Sequence, residues 1–109
     1  MIDPVYVQTM ARYNAWQNSQ LKPILEAMTM DELLLNRGAF FGSILGTLNH
    51  LMWGDMLWMN RFEPSLPAAP GGVDASTTLC PTLAVWSADR FRLDGQIKIW
   101  ADGLKAIDL

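Results

Sequence analysis

The sequence has 109 residues, 50% of them hydrophobic and only 17% charged, with five Trp and seven Met. It can hold one domain with a modest core, and its apolar excess points to surface that meets another chain. A net charge of −3 with no cluster of Lys and Arg excludes an electrostatic grip on nucleic acid, and no apolar run approaches the ~20 residues of a membrane span. The N-terminus, "MIDPVYVQTMARYN", lacks a basic start and an apolar signal core, so we read the chain as cytoplasmic. A single Cys80 fits a reducing compartment.

Asp3 followed by Pro4 predicts an N-cap and first helical residue, opening a helix over about residues 4–28 with Tyr6, Met10, Tyr13, Ile24 and Met28 at helical spacing. Pro23, inside it, predicts a kink or an early stop. Thr29-Met30-Asp31-Glu32 matches a capping box, which starts a short helix to about Leu35. From about Phe40 to Arg61, one stripe is formed by Phe41, Ile44, Leu48, Leu51, Asp55, Trp58 and Phe62, apolar except at Asp55. The same segment carries glycine at Gly38, Gly42, Gly46 and Gly54, with His50, the only histidine, in the vacant place of the four-residue row.

The stretch "EPSLPAAPGGVDASTTLCP" has no period and reads as a long loop able to cover a site. A last helix is expected over about Pro81 to Asp102, with Leu83, Trp86, Arg90, Leu93, Ile97, Trp100 and Leu104 on one stripe and Gly103 as a left-handed C-terminal cap. With no strand pattern, the class is all-α, an antiparallel bundle.

"MARYNAW", "NRGAFFGSILGTLNHLMWGDMLWMNRF" and "LDGQIKIWADGLKAIDL" resemble the DinB-like (DinB/YfiT) family of bacterial four-helix-bundle proteins, most specifically in "GTLNHLMWGDMLWMNRF". The resemblance implies an up-down four-helix bundle and a divalent metal, zinc or nickel, held by three histidines. One comes from the second long helix and two from an H-x-x-x-H pair on the fourth. His50 matches the first ligand, and the other two have no counterpart here. By this resemblance residues 1–109 form a single partial domain, truncated before the fourth helix. Several members resemble metal-dependent thiol S-transferases.

Two ligands on one helix must lie three or four residues apart, and around His50 those places hold Gly46, Thr47, Trp53 and Gly54. Asp55 lies about 140° round the helix from His50 and is expected to pair with Arg12 or Arg90. Without a metal, His50 reads as a half-buried, hydrogen-bonded histidine. Cys80, before Pro81, is a candidate N-cap whose thiol pKa the helix dipole would lower. The tryptophans read as core and interface residues rather than a stacking platform. Two functions stand open. One is an incomplete metal-site scaffold serving as a helical oligomerisation module, its groove filled by a second copy in a homodimer or by a partner helix. The other is a divalent-metal-dependent enzyme of thiol S-transferase or hydrolase type with His50 as one ligand.

Overall fold

A computed structural model describes residues 2–109. The chain is all-α, with no strand among the described residues: α1 spans Pro4–Glu26, α2 Met30–Leu34, α3 Ile44–Phe62 and α4 Leu83–Asp102, with short 3-10 turns at Val73–Thr78 and Ala106–Asp108.

The local signals act where side chains satisfy backbone donors. Asp3 accepts from Tyr6 N at 2.8 Å and Pro4 occupies the first turn, satisfying an amide that has no partner inside the helix. The capping box is reciprocal: Thr29 Oγ1 accepts from Glu32 N at 3.1 Å, and Thr29 N donates to Glu32 Oε1 at 3.0 Å. The Thr29 N–H, joined by the Thr29 hydroxyl, which donates to the same oxygen at 3.0 Å, holds the Glu32 carboxyl below the usual carboxylate range.

Four sequence expectations are corrected here. α1 passes Pro23 and stops at Glu26, two residues short of the expected end; the proline lies in the last turn and removes a single donor near an end that frays anyway. Gly38 and Gly42 are not helical; they adopt φ of +74° and +80° in a turn closed by Arg37 N to Gly42 O at 2.9 Å and Gly42 N to Ala39 O at 3.0 Å. The glycine row therefore breaks into two turn glycines, where left-handed backbone favours glycine, and two helical ones, Gly46 and Gly54. α3 begins only at Ile44, with Ser43 capping Gly46 N at 2.9 Å. Gly103 ends α4 in a right-handed conformation, φ −86°, with its N–H shared between Ile99 and Trp100 carbonyls.

The helix directions correct a fifth. α1 runs antiparallel to α4, since Gln8 reaches Ala101 O and Asn18 reaches Asp94. α3 and α4 run parallel: Leu48 O accepts from Trp86 Nε1, Asp55 pairs with Arg90, and Phe62 stacks on Trp100. Parallel neighbours need a connection that returns along their whole length, about 28 Å for 19 residues at 1.5 Å each. The segment between Phe62 and Leu83 is that crossover, so the three long helices are not a simple up-down series.

α4 supplies the centre of the core. Leu83, Trp86, Leu93, Ile97 and Ala101 are buried, facing Leu45, Met52 and Met59 of α3, with Ala11 and Leu25 from α1 and Leu33 from α2. On α3 the buried face is thus Leu45, Asn49, Met52, Trp53 and Met59, while Leu51, Trp58 and Phe62 of the expected stripe are exposed. α3 is apolar nearly all round, so two different stripes fit a helical period, and packing decides between them.

Candidate metal centre around His50

His50 lies in the first half of α3, half-buried where the crossover returns over the helix. Its neighbour Asn49, 1% exposed, fastens that crossover: Asn49 Nδ2 donates to Thr77 O at 3.0 Å and Cys80 O at 2.9 Å, and Cys80 N donates to Asn49 Oδ1 at 3.3 Å. Trp53 Nε1 donates to Pro70 O at 3.0 Å. The long loop is therefore ordered against α3 by side-chain amides and an indole that satisfy its otherwise unpaired carbonyls.

The same crossover orients the imidazole. Ser76, fully buried in the 3-10 turn, donates its single hydroxyl hydrogen to Val73 O at 2.6 Å. Its oxygen, 2.9 Å from His50 Nδ1, must then accept, which assigns the proton of a neutral His50 to Nδ1 and leaves the lone pair on Nε2. The ring stacks on Phe41 with centroids 3.8 Å apart, and Trp53 lies 6.2 Å away on a similar plane. Gly46 makes room for this arrangement, because a Cβ there would come within 2.6 Å of Phe41 O. A Cβ at Gly54 meets nothing within 4 Å, so only one of the two helical glycines is required by close approach.

Other candidate ligands point elsewhere. Asp55 Oδ2 is 2.6 Å from Arg90 Nη2, as expected of the Arg90 alternative; Arg12 instead faces Asp102 at 3.8 Å. Arg90, almost fully buried, also holds Asp94 at 2.6 Å through Nη2 and 2.9 Å through Nε, and Asn18 Nδ2 donates to the remaining Asp94 oxygen at 3.0 Å. This network satisfies its buried groups, which is the condition for tolerating charge in a core.

Cys80 behaves opposite to expectation. Thr82, not Cys80, caps α4, accepting from Val85 N at 3.3 Å. The thiol is buried and donates to Asp89 Oδ2 at 3.6 Å. Burial pushes its pKa up to about 11, with the Asp89 charge and hydrogen bond acting in the same direction, so it is a protonated thiol at neutral pH. The tryptophans form no single platform: Trp53 and Trp86 are buried, whereas Trp16 and Trp58 are exposed, Trp58 beneath the Arg61 guanidinium at 4.8 Å.

The donor set does not complete a metal site. No three His, Cys, Asp or Glu side chains converge among the described residues. What is present is one imidazole with a fixed tautomer, and one ligand holds a divalent ion weakly. Ser76, which orients the ring, lies in an aperiodic loop and escaped sequence reasoning, whereas Phe41 was expected on the helical stripe and instead precedes α3 and stacks on the imidazole. Asn49 left a signal, a lone amide among apolar residues next to the histidine.

No helix among the described residues is long and apolar enough to cross a membrane. No curated protein and no solved structure matches the chain. A model of the DinB family matches residues 1–93, spanning α1, the His50 segment, the crossover and half of α4, and the chain belongs to that family.

Proposed function

We propose that this DinB-family chain is an incomplete metal-site scaffold that works as a helical oligomerisation module, docking a second copy of itself along the faces of α1 and α3. The observation that carries the reading is a pair of uncovered apolar stripes. On α1, Tyr6, Met10 and Tyr13 are exposed at four- and three-residue spacing and Ile24, three turns further on, lies on the same face, away from the Gln8 and Asn18 face that meets α4. On α3, Leu51, Trp58 and Phe62, seven and four residues apart, are exposed on one face. Contiguous apolar surface of this kind marks an interaction site, and two like copies make a closed, self-complementary interface. Sedimentation at micromolar concentration should give a dimer, shifted to monomer by Tyr13→Glu with Trp58→Glu. A monomeric wild-type chain that binds no exposed-surface dye would defeat the reading.

A second reading, a divalent-metal-dependent enzyme of thiol S-transferase or hydrolase type, draws support from the Ser76–His50 hydrogen bond. Metal-bound histidines commonly donate their other ring N–H in this way. Its remaining ligands would have to come from outside the described residues, and no catalytic step is assigned to the residues present. Zinc or nickel titration should then show weak binding that His50→Gln abolishes; binding unchanged by His50→Gln would remove the ligand role.

A further inference from the structure

Gly46, Asn49, His50 and Trp53 stand at i, i+3, i+4 and i+7 of α3, which puts them on one face of the helix, and each meets the crossover. Gly46 lets Thr77 in against the helix, since a Cβ there would stand 3.6 Å from Thr77 Cβ. Trp53 holds Pro70 O, and Asn49 holds Thr77 O, Cys80 O and Cys80 N. The 3-10 turn Val73–Thr78, which carries Ser76, is therefore hung between two fastenings. The Trp53 fastening lies six residues before Ser76, whereas the Asn49 fastening begins at the very next residue.

Asn49 is the stronger of the two. Its amide pairs with Cys80 as one peptide group pairs with another, donating to the carbonyl and accepting from the N–H, and its second Nδ2 hydrogen goes to Thr77 O. Because Asn49 is buried, removing the amide would leave these backbone groups without partners away from water. The Cys80 thiol, 3.6 Å from Asp89 Oδ2, is a weak donor and a lesser hold on the same end.

What Asn49 positions, through Thr77, is the Ser76 hydroxyl. Ser76 donates to Val73 O and so accepts from His50 Nδ1, which leaves the lone pair on Nε2. Nε2 makes no hydrogen bond, and no buried side-chain nitrogen or oxygen among the described residues lacks a partner, so Nε2 opens to solvent. A neutral imidazole in water carries its proton mainly on Nε2, and the reverse arrangement needs an acceptor held at Nδ1.

We infer that Asn49 is the latch of the crossover and a positioning residue for His50. Latched, it keeps Ser76 against Nδ1 and presents Nε2 as an acceptor; unlatched, His50 returns to the Nε2–H form and presents a donor. The inference concerns how the centre is set, and rests neither on a second copy nor on a metal ion.

His50 is the only histidine, so long-range proton–nitrogen spectra of the imidazole in the full chain, recorded about two pH units above the ordinary histidine pKa of ~6.5, read its tautomer directly. The wild type should show Nδ1–H as the main form. Ser76→Ala should reverse the tautomer and leave Cys80 as slow to react with a thiol reagent as in the wild type. Asn49→Leu should reverse it and also speed Cys80 labelling by about tenfold or more, because the segment it held opens. Trp53→Phe, which removes the other fastening, should keep the Nδ1–H form. If Asn49→Leu loses its helical far-UV spectrum, the wild type carries the test: in urea below the unfolding transition, the Nε2–H fraction and the labelling rate of Cys80 must rise together. The inference is overturned by an Nε2–H wild type, by a helical Asn49→Leu protein that keeps Nδ1–H, by equal loss of that form in Trp53→Phe, or by a tautomer that stays constant while urea speeds Cys80 labelling.

Discussion

α4 and α3 present opposite outcomes for a helix that is apolar on its expected stripe. In α4, Leu83, Trp86, Leu93 and Ile97 all enter the core, together with the one cation among them, Arg90. In α3, Leu51, Trp58 and Phe62 stay in solvent while Asn49, a polar residue, is buried. α4 packs chiefly on α1, with α3 on its other flank, whereas α3 meets α4, α2 and the crossover, which together leave the Leu51, Trp58 and Phe62 face uncovered. Burial thus follows what lies across from a face, not how apolar the face is. An exposed Leu on such a stripe contributes to folding only when a partner covers it.

The sharpest way to break this contrast is at Arg90. Arg90→Ala leaves Asp94 buried with its charge answered only by Asn18, and should cost about 3–5 kcal/mol in urea unfolding; a loss below ~1 kcal/mol would mean that water enters the network freely. Next is Leu93→Ala, on the buried face of α4, expected to cost about 2–5 kcal/mol through lost transfer and a residual cavity. Both would appear as a lower urea midpoint at unchanged slope.

Features decided within a few residues were legible in the sequence. The Asp3-Pro4 start, the Thr29–Glu32 capping box, the α4 stripe and the Asp55–Arg90 pair each rest on a side chain and its near neighbours, or on one uncovered charge in an apolar stripe. Features that depend on where the chain turns were not. Gly38 and Gly42 keep the four-residue spacing of Gly46, yet their positive φ belongs to a turn, and spacing alone cannot separate the two. The parallel course of α3 and α4 did leave a trace, because a 19-residue aperiodic stretch is longer than antiparallel neighbours require. His50 was visible as a candidate, but the Ser76 hydroxyl that fixes its tautomer comes from that stretch, where no period marks which residue points inward.

Cys80 offers a smaller effect with a definite sign. Burial, with the Asp89 charge and hydrogen bond, raises its thiol from an ordinary 9.0 to about 11 in the folded chain. Between these values the unfolded chain holds fewer protons than the folded one, so stability must fall as pH rises through that window and be unaffected below it. Cys80→Ala should flatten the slope of unfolding free energy across the same window. A slope that survives the substitution would assign the alkaline loss to another group, and rapid labelling of Cys80 by a thiol reagent in the native protein at neutral pH would contradict its burial beside Asp89.

The smallest effect is the most telling for the contrast. Leu51→Ala removes the same atoms as Leu93→Ala, but from a side chain that is 58% exposed, so at a dilution where the chain is monomeric it should change stability by less than about 0.5 kcal/mol. If α3 docks a second copy, the missing cost reappears with concentration: the wild type gains stability as protein is added, and Leu51→Ala gains less, because association adds to apparent stability only through contacts made in the complex. Unfolding midpoints measured over a hundredfold range of concentration would separate the cases. Parallel lines for wild type and variant would mean that the stripe takes no part in self-association, and a large loss at the lowest concentration would mean that Leu51 is already buried within the monomer.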